Sequence, residues 1–152
     1  MITTPEELID TLESFLTLHK KDLGIETIAY HQERLIPKFP AIQITAGPVD
    51  RAIHGTRTYN VELTADIWVM HAKLTDSYRT RTKKDMELAT QIWNLLKGNV
   101  NDPEDRRTAQ TLGGVIVHGF VAHQIPGIAA APHSDAIIAT QLHYTALTQE
   151  RF

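Results

Sequence analysis

Residues Thr56 to Met70 constrain the fold of this chain more than any other stretch. Tyr59, Val61, Leu63, Ala65, Ile67 and Val69 recur at every second position, and Asn60, Glu62, Thr64 and Asp66 fill the gaps between them. A period of two sends successive side chains to opposite faces of an extended backbone, so the pattern predicts a strand with one buried face and one wet face. At about 3.3 Å per residue such a strand spans roughly 45 Å, far more than the usual five or six residues or so. It is therefore expected to project beyond its sheet or to bend strongly. The alternation breaks at the end, where Trp68 and Met70 stand on the polar face. An exposed Trp–Met pair is unusual on a monomer and such residues are enriched where proteins meet, so the pair is a candidate contact surface. Cover by a second layer of the same chain is the alternative.

The flanking segments predict an α+β fold in the order α-β-β-α-β-β. A helix is expected over residues 4–21: Thr4 as N-cap, Pro5 at the first helical position and Glu7 closing a capping box. Leu8, Ile9, Leu12, Phe15 and Leu16 make its apolar stripe, and Gly24 is its natural stop. Ile28 and Tyr30 allow a short strand. Pro37 and Pro40 lead in extended conformation into a strand at 41–45, which Gly47-Pro48 is expected to end. A second helix opens at Thr75 or Ser77 and carries Met86, Ala89, Ile92, Trp93 and Leu96 on its stripe. Residues 99–114 read as a polar connection, long enough to be functional. Strands follow at 115–123 and 135–149, joined by a connection that begins at Pro126-Gly127. Adjacent strands and separated helices imply one domain: a mainly antiparallel four-stranded sheet with two helices on one face.

Several functional classes are disfavoured by content. The 152 residues suffice for one core without staples, and the absence of cysteine removes disulfides, thiolate chemistry and cysteine-based metal sites. The longest apolar runs, such as Ile67–Met70, are four residues, against about twenty for a membrane span. Glu6 and Glu7 stand where a signal peptide would be positive, so the expectation is a protein that stays where it is made. A net charge of −3 gives no global attraction to nucleic acid.

No phosphate loop, nucleophile elbow, H-E-x-x-H or calcium loop is present, so no catalytic residue and no cofactor is expected. Of eight histidines, His118, His123, His133 and His143 lie late in the chain, and His118 and His143 are placed to meet across a hairpin. Zinc wants three or four ligands, which no spacing here supplies. The basic run Lys73, Arg79, Arg81, Lys83 and Lys84 reads as a solvated helix face partly neutralised by Asp76 and Asp85, with contact to a phosphate or acidic partner as the alternative.

Taken together, the capped helix at 4–21, the Pro37-x-x-Pro40-Ala41-Ile42-Gln43-Ile44 approach, the strand at 56–70, the helix at 80–97 ending Ile92-Trp93-Asn94-Leu95-Leu96 and the closing strand pair resemble the tail terminator (tail-completion) family of long-tailed phages. The resemblance rests on order and length over most of the chain. It implies a non-enzymatic virion protein, a homohexameric ring at the head-proximal end of the tail tube. Such a ring stops tube polymerisation and presents the docking surface for the head. The implied partners are copies of itself, the tail tube protein and a head-completion or connector protein. No membrane and no sequence-specific nucleic acid is involved, although DNA would pass through the ring. Another head–tail connector role, or a histidine-based metal-binding domain, are the alternatives. An open sheet has two edges that a ring can bury. The connections at 47–58 and 98–114 then lie at subunit or partner contacts. Together with Trp68 and Met70, their Arg51, Arg57, Asp102, Glu104, Arg106 and Arg107 are the candidate interface residues.

Overall fold

The alternating segment is the middle strand of a five-stranded sheet. The computed structural model describes residues 1–30, 38, 40–70, 78–128 and 138–151. The strands are Thr27–Tyr30 (β1), Ala41–Ile53 (β2), Thr58–Met70 (β3), His118–Ile128 (β4) and Ile138–Arg151 (β5), in the spatial order β1-β2-β3-β5-β4. β1 runs parallel to β2 and every other pairing is antiparallel, so the sheet is mixed. The expectation of four strands is corrected to five, because Thr27–Tyr30 is long enough to pair with Ala41–Ile44. The helices are Pro5–Leu18 (α1), Lys20–Leu23 (α2), Tyr78–Lys97 (α3) and Pro103–Gln110 (α4), four rather than two.

Parity in β3 decides where the core lies. Val61, Leu63, Ala65, Ile67 and Val69 are buried in one apolar cluster with Leu8, Ile9, Leu12 and Leu16 of α1 and Leu88, Ala89, Ile92 and Leu96 of α3. Both long helices therefore cover the same face. Their cross-strand neighbours agree: Ile67 sits between Ile44 and Leu142, and Ala65 opposes Tyr144. The other face carries Glu62, Thr64, Asp66 and Trp68.

α1 begins as its sequence demands. The Thr4 hydroxyl accepts from the Glu7 N–H at 3.2 Å and donates to the Glu7 carboxylate at 2.9 Å. Glu7 thus engages the capping side chain where the full capping box would engage the Thr4 N–H. The helix breaks at His19, and Gly24 closes the short α2 instead of the long helix expected. On α3 the stripe is rotated from the expectation: Leu88 is buried, while Met86 and Trp93 are 39% and 38% exposed. Asp85, expected to help neutralise a solvated face, is fully buried on the same stripe as Leu88 and Ile92. Lys73, and Thr75 and Ser77 as helix openers, lie outside the described residues, as do Pro37, Asp76 and His133.

Three punctuation signals act differently from expectation. Gly47-Pro48 does not end β2. Ala46 opposes Ala65 and Val49 opposes Leu63, so one extra residue bulges there and the strand continues to Ile53. A Cβ on Gly47 would overlap the Thr64 hydroxyl, which itself donates to the Pro48 carbonyl at 2.8 Å. Pro126-Gly127 likewise lies inside β4, opposite Thr140 and Ala139. β4 has a partner on only one side among the described residues, and proline is tolerated at such an edge.

The third signal is Asp102-Pro103, which opens α4 within the expected loop. The Asp102 carboxylate accepts from the N–H groups of Glu104 and Asp105 at 3.1 and 3.3 Å, and Pro103 occupies the first turn. Among α4 residues only Ala109 is buried, so the cap supplies much of what holds this helix. Asp102→Ala is expected to lower the unfolding free energy by about 1 kcal/mol. Circular dichroism during urea unfolding should show a lower midpoint with an unchanged slope.

Candidate functional site

Beyond its last core residues the β2–β3 hairpin leaves the fold as an arm. Val61 is the final fully buried residue of β3, paired with Arg51 on one side and Thr148 on the other. From there to the turn at His54–Arg57 the arm extends about 10 Å at strand rise. Residues 50–57 are all exposed, and Ile53 is 74% exposed. The arm is stiffened rather than loose: β5 pairs with β3 as far as Thr58 opposite Arg151. At its root, Arg51 meets the Glu150 carboxylate at 3.3 Å and donates to the Thr3 carbonyl at 3.4 Å. Both partners are substantially exposed, so the ion pair contributes at most about 1 kcal/mol and serves to orient the guanidinium. Arg57 lies in the turn and makes no ion pair among the described residues.

A second feature is a groove in the helical layer, about 1010 Å³, between the C-terminal half of α1, α2, the end of α3 and α4. Phe15, Leu18, Leu95, Val100 and Leu112 supply its apolar lining. Leu18 and Val100 stand at 81% and 59% exposure. The sequence reading missed this groove. Its only signal was that Leu18 falls off the α1 stripe, and the apolar lips come from segments far apart in the chain.

The open sheet face is the third. Trp68 is half-buried, and its indole N–H donates to the Thr45 hydroxyl at 3.1 Å. One register row away, a ring nitrogen of His143 lies 2.8 Å from the Asp66 carboxylate. Met70 is fully buried and stands opposite Ala41 and Ala139 in register. Trp68 and Met70 are thus not the exposed pair expected from the broken alternation. Towards the arm this face carries Phe120 and Leu147, 44% and 38% exposed, with the His118 ring 6.1 Å from that of Phe120.

The structure does not bring His118 and His143 together. His118 opposes Leu147, whereas His143 opposes Asp66 on the other neighbouring strand. The side chain of His123 lies outside the described residues. Among the described residues no three His, Asp or Glu side chains converge as a metal site would require. Of the basic run, Lys83 is exposed and Lys84 half-buried on α3; the side chains of Arg79 and Arg81 lie outside the described residues. Asp102 and Glu104 belong to the N-terminus of α4, and Arg106 and Arg107 line a smaller cleft of about 360 Å³ with Val117 and His118. The candidate interface residues therefore fall into three separate groups: Arg51 and Arg57 on the arm, Trp68 and Met70 at the far end of β3, and Asp102 to Arg107 at α4. No described helix is long and apolar enough to cross a membrane. Comparison of the chain with models of known protein families and with curated proteins finds no match.

Proposed function

We propose that this chain is a non-enzymatic virion subunit of the tail-terminator type, assembling into a ring, hexameric by the resemblance, on the head-proximal end of a phage tail tube. The arm carries this reading. It is a paired ribbon that projects beyond the core, and past Ile44 the outer edge of β2 has no strand partner among the described residues, which leaves a template for another chain. The short β1 and the edge strand β4 also leave backbone groups available at both margins of the sheet among the described residues. In this reading the ring stops tube growth and offers the head-completion protein its docking surface, with Arg51, Arg57 and the α4 charges orienting the contacts.

Deleting the gene from a producing phage is expected to yield tails of abnormal, uncontrolled length that fail to join heads. Negative-stain images of such particles decide the matter. Tails of normal length that still lack heads would move the protein to a different connector role, and normal infectious particles would remove it from the virion altogether.

A further inference from the structure

The arm and the helical groove lie at opposite ends of α1. Arg51 at the root of the arm reaches Thr3, just before the helix, whereas the groove is lined from Thr11 through Leu18 to Leu23. At 1.5 Å per residue, Thr3 and Leu18 are roughly 20 Å apart along the axis. The arm of one copy therefore does not fill its own groove.

Building on the ring reading, we infer that the groove receives the arm tip of a second copy, with Ile53 seated between Leu18 and Val100. Three observations commit the site to this occupant. The tip presents an isolated apolar side chain, and the groove presents apolar lips. The charges are complementary: with Arg51 taken by Glu150, the charged residues beyond it on the arm are Arg57 and, beside Thr58, Arg151, while Asp22 and Asp105 outnumber Lys97 on the groove lining. The groove is also as large as the upper end of small-molecule clefts, about 1,000 Å³, and open-sided, which suits a ribbon turn. A donor and an acceptor at opposite ends of one helix make a head-to-tail contact, and head-to-tail contacts close into rings when the rotation between copies allows.

The chain contains no cysteine, so engineered pairs report cleanly. Ile53→Cys combined with Leu18→Cys is expected to give, on mild oxidation, a ladder of covalent multimers longer than dimers, ending in one closed species. Either single variant stops at dimers. Ile53→Asp, at a site too exposed to affect folding, is expected to weaken self-association at least tenfold by sedimentation velocity while the melting temperature stays unchanged. If wild type self-associates, but Ile53→Asp associates equally well and the double-cysteine chain gives no ladder, the docking inference is wrong and the ring stands. If wild type stays monomeric at every concentration by native mass spectrometry and on added tail tubes, both fall.

Discussion

Leu63→Ala is expected to lower the unfolding free energy by about 3–5 kcal/mol, a large share of the stability of a domain this size. Leu63 is fully buried at the centre of the sheet, flanked in register by Val49 and Ala146, and belongs to the cluster that α1 and α3 cover. Truncation removes its transfer free energy and leaves a cavity that β2 and β5, held on both sides, can close only in part. Glu62, one position earlier, points to the opposite face and is exposed. Glu62→Ala should stay within about 0.5 kcal/mol of wild type. Urea unfolding of the two variants tests the orientation of the whole strand, because a register error of one residue would exchange the two results.

Gly119→Ala is expected to destabilise by about 3 kcal/mol, through overpacking rather than loss. Gly119 opposes Ala146 in register and lies against Tyr144, whose ring is fully buried. A Cβ at this glycine would overlap the Tyr144 hydroxyl, come within 2.6 Å of the ring carbon bearing it and within 2.9 Å of an Ile116 methyl. The Ile116 methyl ends a flexible chain and can shift, but the Tyr144 ring is rigid and fully buried and must move as a whole. The Tyr144 hydroxyl is buried with no hydrogen-bond partner among the described residues. Tyr144→Phe should therefore be neutral or stabilise by about 1 kcal/mol, and it should offset part of the Gly119→Ala cost in a double-mutant cycle. Burial also pushes the Tyr144 phenol well above its ordinary value of 10.0. The folded state keeps this proton at a pH where the unfolded chain releases it. Stability is then fully present below about pH 10 and falls as pH rises further, by about 1.4 kcal/mol per unit. Tyr144→Phe should flatten that alkaline decline; an unchanged slope would contradict the burial of the phenol.

The parts of the fold legible in the sequence were those where one physical demand dominates. β3 was readable because a strand with two neighbours and one helix-covered face must alternate, and it starts within two residues of the expected position. The cap of α1 was readable because Thr4, Pro5 and Glu7 act locally. Failures came where tertiary context reversed a local signal. Gly47-Pro48 reads as a stop, yet β1 covers only Ala41 to Ile44, so at Pro48 the strand has a side with no strand partner among the described residues, where a missing N–H is tolerated. α4 had its start written in Asp102-Pro103-Glu104-Asp105, but its mostly polar surface offered no stripe. Met86 and Trp93 suit a core stripe by being apolar, but their spacing of seven puts them together on the outside, two positions before Leu88 and one after Ile92. Of the candidate interface residues, Arg51 and Arg57 stand on the arm. Met70 differs from the expectation because it is fully buried at the end of a face whose other residues alternate as wet.

The extra residue at Gly47-Pro48 has a consequence for how the tip can vary. Ahead of it, even-numbered residues of β2 face the helices; beyond it, Val49, Arg51 and Ile53 do so, by their pairing with Leu63, Val61 and Tyr59. Inside and outside are thus assigned by counting. Lengthening the ribbon by two matched residues on each side keeps the same chemistry forward and only extends its reach. A one-residue gain or loss on a single side would instead turn Ile53 away and bring Asp50 and Ala52 round in its place. Reach is therefore free to drift among descendants of such a chain, while what the tip shows is locked to an odd-or-even choice made at one dipeptide.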